Sequence, residues 1–131
     1  VELAIEAMND GMESVAIITP YAEQSRVIRQ LLPRDTAETI ECRTVHRFQG
    51  GERDMVIFDT VDTDPMRPGV LLAGAGPGAS ASNLINVSIS RARGKLVIIA
   101  DVAYFRRHRQ ATWLNQMLEQ AIKAGRLESL T

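Results

Sequence analysis

The sequence predicts an α/β layered domain built on a mainly parallel sheet. Two observations carry this reading. The runs Val15-Ala16-Ile17-Ile18, Met55-Val56-Ile57-Phe58 and Lys95-Leu96-Val97-Ile98-Ile99-Ala100 are almost wholly apolar and rich in β-branched residues. Strands covered on both faces have that composition, and such strands belong to parallel sheets. Amphipathic segments alternate with these runs through short links, with no internal repeat. At 131 residues, 45% hydrophobic and 24% charged, the chain suits a single domain over 1–131 with one core.

The elements follow in order. Residues 2–10 read as a helix ending at Gly11, with Leu3, Ile5, Ala7 and Met8 set among acids. Val15–Ile18 is the first strand. Thr19 then offers an N-cap hydroxyl and Pro20 a first helical position. The helix that follows reaches Leu32, with Val27, Ile28, Leu31 and Leu32 inward and Arg26, Arg29 and Gln30 outward, and Pro33 stops it. Thr39–Cys42 is a second strand. Thr44 caps a short helical turn through Phe48, which Gly50-Gly51 breaks, and Met55–Val61 is the third strand.

Residues 62–82 hold Pro65, Pro68, Gly69, Gly74, Gly76, Pro77 and Gly78 and read as a mobile loop. The Gly-rich part is no phosphate loop, since no Lys-Ser/Thr follows it. Asn83–Ala92 reads as a helix with Leu84, Val87 and Ile89 inward, ended by Gly94, and Lys95–Ala100 as the fourth strand. Asp101 caps a short helix to about Arg107. Residues 111–124 form the last helix, with Trp113, Leu114, Met117, Leu118 and Ile122 on one stripe.

A net charge of −1 gives no global basic field. The charge is uneven: residues 1–24 carry five acids and no Lys or Arg, while Arg91, Arg93, Lys95, Arg106, Arg107 and Arg109 face only Asp101 within 91–109. That cluster is either a local basic face or a solvated helix surface. Cys42, the single cysteine, excludes an internal disulfide and a cysteine-based zinc site. It reads as a small core residue and fits a reducing, cytoplasmic setting. No apolar run approaches the roughly 18 residues of a membrane helix, and no signal peptide is visible. The chain opens at Val1 inside a helical pattern, as a piece of a longer polypeptide would.

Two polar stretches carry the chemistry. In an open parallel sheet ligands gather at strand ends, and both stretches run into apolar strands. Thr44-Val45-His46-Arg47-Phe48-Gln49-Gly50-Gly51-Glu52-Arg53-Asp54 holds a carboxylate just past a glycine pair, where it can accept from a ribose hydroxyl or pair with Arg53 or Arg47. Its His46 and Gln49 can each donate to a phosphate or to a backbone group. In Asn86-Val87-Ser88-Ile89-Ser90-Arg91-Ala92-Arg93, the two arginines offer planar donor forks that match phosphate oxygens. An Arg presented in this way serves as an arginine finger; a cation at a helix C-terminus also complements the dipole.

The first stretch with the strand after it, Thr44 to Phe58, resembles motif V of superfamily 1 helicases of the DNA2/NAM7, Upf-like group: a Phe-Gln-Gly core, a Glu two residues after the Gly, then Asp and an apolar strand. Asn86 to Arg93 resembles motif VI of the same group, and Ile17-Ile18-Thr19-Pro20-Tyr21-Ala22-Glu23-Gln24 matches an Ile-Thr-Pro-Tyr-x-x-Gln segment of it. The three come in the family's order.

The resemblance implies a three-layer RecA-like fold of the P-loop NTPase type, and specifically the C-terminal (2A) motor domain of an ATP-dependent DNA or RNA helicase. By that likeness Arg91 reaches the γ-phosphate of ATP, Glu52 contacts its ribose, and Gly50, Gln24 and Arg93 lie on the nucleotide side. His46, Thr44 and Gln49 would couple the nucleotide cleft to a single strand of DNA or RNA. ATP and Mg²⁺ would be held mainly by an N-terminal RecA-like domain of the same polypeptide; this piece, lacking a phosphate loop, would not hydrolyse ATP alone, and no metal site is expected in it. The family's Asp-x-Arg-Arg before motif VI is replaced here by Ala81-Ser82-Asn83-Leu84. That departure favours the alternative, a degenerate nucleic-acid or protein binding module.

Overall fold

The computed structural model describes residues 1–48, 50–64, 80–108 and 112–129, with the side chains of 80–84 and 112–113 outside that description. Its strands β1 (Val15–Thr19), β2 (Ile40–Thr44), β3 (Arg53–Asp59) and β4 (Ala92–Ile99) form one sheet in the order β2-β1-β3-β4. Every pairing is parallel: Val15 sits opposite Ile40 on one side and Met55 on the other, and Val56 opposite Leu96. The helices are α1 (Glu2–Asn9), α2 (Ala22–Leu31), α3 (Ser80–Ile89), α4 (Val102–Arg107) and α5 (Thr112–Lys123).

Strand side chains alternate between faces, and both faces are covered. Val15, Ile17, Met55 and Ile57 join Ile40 and Cys42 under Ala4 and Ala7 of α1 and Ile28 of α2. Ala16, Ile18, Val56 and Phe58 pack against Ile85 of α3, Tyr104 and Phe105 of α4, and Leu114 and Leu118 of α5. All five residues of β1 are buried, which is why the sequence shows a continuous apolar run and no period of two. The result is a three-layer α/β domain with a parallel sheet between helices, as a RecA-like fold requires. Cys42 is a buried core thiol, and burial pushes its pKa up.

Several boundaries differ from the sequence reading. Thr19 is the buried last residue of β1 and Tyr21 takes the N-cap of α2, so neither Thr19 nor Pro20 begins the helix. In α2, Val27 (45% exposed) and Leu31 (63%) face outward; Ser25 and Ile28 face inward. β3 begins at Arg53 and ends at Asp59, because Val61 takes φ +66° and cannot continue a strand. α3 occupies residues 80–82 of the segment read as loop and stops at Ile89. Among its described side chains Ile85 and Ser88 are buried, and Val87 is half exposed. β4 starts at Ala92, so Gly94 lies inside a strand and ends no helix. Residues 65–79 of the expected loop lie outside the described residues, as does the side chain of Trp113. The expected Asp101 cap is in place: its carboxylate accepts from the Tyr104 amide at 3.0 Å.

The connector from β2 to β3 positions the site. It leaves β2 at the carboxyl edge of the sheet and must enter β3 at the amino edge, yet it is shorter than the crossover helix that ordinarily joins parallel strands. A backbone turn at Thr44, whose carbonyl accepts from the amides of Arg47 and Phe48, starts it. Val45 and Phe48 then bury into the core on the α3 side, so the connector covers that face of the sheet itself.

Candidate functional site

Three turns meet at the amino edge of β3 and β4. The Arg53 amide donates to the Arg91 carbonyl at 2.8 Å, which sets the turn carrying Glu52 against the turn carrying Arg91. The Arg53 side chain holds its own turn. Its Nη1 donates to the carbonyls of Gly51 (2.9 Å) and Glu52 (3.1 Å), and its Nη2 pairs with Glu41 of β2 at 3.0 Å. The guanidinium lies 5.5 Å from the centre of the Phe48 ring, within cation–π range. Gly50 takes φ +120°, which disfavours any side chain there.

Asp54 ties the third turn in. Its carboxylate accepts from the Glu13 amide (2.9 Å), the Ser14 amide (3.2 Å) and Arg93 Nη2 (2.6 Å), and its own amide donates to Ser14 Oγ. The Glu13 amide, followed by the Arg93 guanidinium, holds the Asp54 carboxyl below the usual carboxylate range. Beside it the β3–β4 register slips by one residue between Arg53 and Met55. Gly94 fills that irregular stretch, where a Cβ would meet the Asp54 carbonyl at 3.0 Å.

Arg91 sits half-buried in the turn after α3. Neither its guanidinium nor the exposed carboxylate of Glu52 has a side-chain partner among the described residues. Arg53, which could have neutralised Glu52, uses that residue's carbonyl and gives its charge to Glu41. A fork of donors and a carboxylate therefore stand ready on adjoining turns. By contrast Arg93 is occupied by Asp54.

A second polar group lies at the opposite, carboxyl edge. Thr44 ends β2 and the exposed His46 follows it. Gln24, in the first turn of α2, donates through Nε2 to Asp59 at the end of β3, 3.1 Å away. Tyr21 donates its hydroxyl to Asp62. The Asp62 amide in turn reaches back to the Thr60 carbonyl at 2.7 Å across Val61. With φ +66° at Val61 this is a γ-turn of the rarer, strained hand.

The sequence-derived residues thus separate into two sets. Gly50, Glu52, Arg91 and Arg93 share the amino edge; Thr44, His46 and Gln24 share the carboxyl edge. Gln24, read as belonging to the nucleotide side, is not brought to Glu52 and Arg91. Gln49 lies outside the described residues. No group of three or more His, Cys, Asp or Glu side chains among the described residues could hold a metal ion. The sequence reading did not single out Glu41, Ser14 or the clamp role of Arg53. Nothing in local spacing marks a Glu41–Arg53 pair, because it exists only once β2 and β3 lie in one sheet.

Comparison with known proteins adds the following. The AAA domain family matches residues 1–103. The chain is 29% identical over 106 residues to the DNA replication ATP-dependent helicase/nuclease JHS1 of Arabidopsis thaliana, covering 75% of this chain and 7% of that protein. It is 33% identical over 93 residues to the DNA polymerase alpha-associated DNA helicase A of Schizosaccharomyces pombe, covering 70% and 13%. It is 26% identical over 99 residues to the probable RNA helicase armi of Drosophila melanogaster, covering 76% and 8%. The chain therefore spans a small part of each relative's length.

Proposed function

The chain belongs to the AAA domain family and is a superfamily 1 helicase-type α/β domain, and from that premise we propose that it is the C-terminal RecA-like domain of an ATP-driven DNA or RNA helicase. In this reading the amino edge of β3 and β4 forms half of a cleft. An N-terminal RecA-like domain of the same polypeptide supplies the other half, with the phosphate loop and the carboxylates that hold Mg²⁺. The observation that carries it is the 2.8 Å bond from Arg53 to Arg91, which joins the turns bearing Glu52 and Arg91.

The residues present fit the contact side of a nucleotide. Arg91 offers a planar fork with no side-chain partner among the described residues, which suits the γ-phosphate oxygens, and Glu52 offers a carboxylate likewise unpartnered among them, which suits a ribose hydroxyl. Gly50 lets the turn approach closely. Arg93, fixed by Asp54, keeps β4 in place beside Arg91. ATP, when bound, supplies the phosphoanhydride bond whose cleavage drives the motor. Arg91 stabilises charge that builds on the transferred phosphoryl group, and the rigid join to β3 fixes its position. At the carboxyl edge, His46 and Thr44 line the single-strand track and read backbone, not sequence.

The test is Arg91→Lys in the full-length protein. Lysine keeps the charge and loses the fork, so the ATPase rate should fall by roughly 10³-fold or more with an unchanged melting temperature. An unchanged rate sinks the arginine-finger assignment. The 131-residue chain by itself should show no ATP turnover, and turnover abolished by Arg91→Ala would contradict the two-domain cleft.

A further inference from the structure

A groove of about 640 Å³ runs along the outer edge of β2, between that strand and the end of α2. Four guanidiniums from four separate segments line it: Arg29 of α2, Arg34 of the turn that follows, Arg43 of β2 and Arg53 of β3. Two carboxylates, Glu38 and Glu41, oppose them. Elsewhere among the described residues each carboxylate pairs with one arginine: Arg26 with Glu23, Arg93 with Asp54, Arg106 with Glu119 and Arg107 with Asp64, the last also 3.9 Å from His108 Nε2. Here Glu41 is shared between Arg43 (3.3 Å) and Arg53 (3.0 Å). Arg29 reaches the Cys42 carbonyl at 3.5 Å, Arg43 reaches the same carbonyl at 3.4 Å besides its share of Glu41, and Arg34 has no side-chain partner among the described residues. The groove therefore holds an excess of positive charge within a chain of net charge −1.

We propose that this groove binds the phosphodiester backbone of a nucleic-acid strand, as a second contact apart from the carboxyl-edge residues Thr44 and His46. Guanidinium forks match phosphate oxygens. The long, poor bonds to the Cys42 carbonyl exchange for phosphate contacts at small cost. The arginines come from four separate segments around the groove, a spread that suits a chain of phosphates better than one small anion. Arg53 borders both the groove and the Glu52 turn, so under the proposed helicase function a strand held here lies beside the nucleotide side of the domain.

The experiment uses full-length protein carrying Arg29→Gln, Arg34→Gln and Arg43→Gln together, with Arg53 left intact. Equilibrium binding of a fluorescent single-stranded oligonucleotide is measured without ATP over a range of salt, with circular dichroism as the check on folding. Loss of three phosphate contacts should lower the slope of log K against log salt by about 2, at roughly 0.7 per contact, and weaken binding at least about tenfold for every sequence tried. An unchanged slope and affinity overturn the groove alone and leave the Arg91 assignment standing. Absence of oligonucleotide binding by the unaltered protein overturns the groove together with the single-strand track assigned to Thr44 and His46. If the triple variant instead loses affinity for polyglutamate and keeps it for the oligonucleotide, the groove takes an acidic protein and the proposal is wrong. Should Arg91→Lys leave ATP hydrolysis intact while the slope falls, the groove stands without the motor reading.

Discussion

The main-chain amide of Arg53 donates to the carbonyl of Arg91 across 2.8 Å, joining two turns 38 positions apart in the sequence. β3 and β4 are neighbours, so the start of one strand meets the turn that leads into the other. Any ligand contacted by Glu52 is therefore geometrically linked to one contacted by Arg91. The Arg53 side chain completes the join by holding the Gly51 and Glu52 carbonyls and Glu41 together.

Arg53→Ala frees the Glu52 turn without touching Arg91. In the full-length protein the KM for ATP should rise about tenfold, the equivalent of roughly 1.4 kcal/mol of binding, while kcat changes little. Arg53→Lys should restore part of the loss, since the charge facing Glu41 returns but the fork to two carbonyls does not. Steady-state kinetics of both variants decide this. A fall confined to kcat would contradict a positioning role for Arg53.

Gly94→Ala places a methyl 3.0 Å from the Asp54 carbonyl, where the obstacle is backbone and cannot swing away. The strands must separate locally, at a cost of about 1–3 kcal/mol. Chemical denaturation should show the loss, whereas Gly51→Ala, with open space around its added Cβ and no positive φ, should be close to neutral.

Val61→Gly should stabilise the domain. A β-branched residue at φ +66° pays a steric cost that glycine escapes, and the exposed Val61 side chain forfeits little burial. A gain of about 1 kcal/mol, read as a rise in thermal midpoint, is the expected outcome; a fall would show that Val61 contributes packing that outweighs the strain.

Asp54 sets an acid limit on stability. The Glu13 and Ser14 amides and Arg93 hold its folded pKa below the ordinary value. Its contribution is fully present above the unfolded pKa of about 3.9 and is lost as pH falls through the lower folded value. Asp54→Asn removes that dependence, so stability below about pH 4 should decline less steeply in the variant than in the original chain. Parallel curves in denaturation measured from pH 6 downward would contradict the assignment.

The layered fold was legible because burial on both faces leaves a mark in composition. Val15–Ile18 and Met55–Phe58 carry no polar residue, and both are buried strand cores. Amphipathic helices were legible in type but not in facing. Val27 and Leu31 sit at helical spacing and still point outward, because contact with the sheet runs along Ser25 and Ile28. The boundary between α3 and β4 was misplaced for a related reason. Gly94 looks like a helix stop, yet Ala92 and Arg93 already lie in β4, drawn there by the pairing of Ala92 with Arg53 and the bond from the Arg53 amide to the Arg91 carbonyl.

The sequence by itself determined the class of fold, its alternation of strands and helices, and the polar turns containing Glu52 and Arg91, because local propensity and apolar patterning act over a few residues. Only the tertiary structure decided which turns share an edge. The order β2-β1-β3-β4 brings Glu41 to Arg53, Asp54 to Arg93 and Arg53 to Arg91, and it sends Gln24 and His46 to the other end of the sheet. Strand order is fixed by packing across the whole core, and no spacing along the chain encodes it.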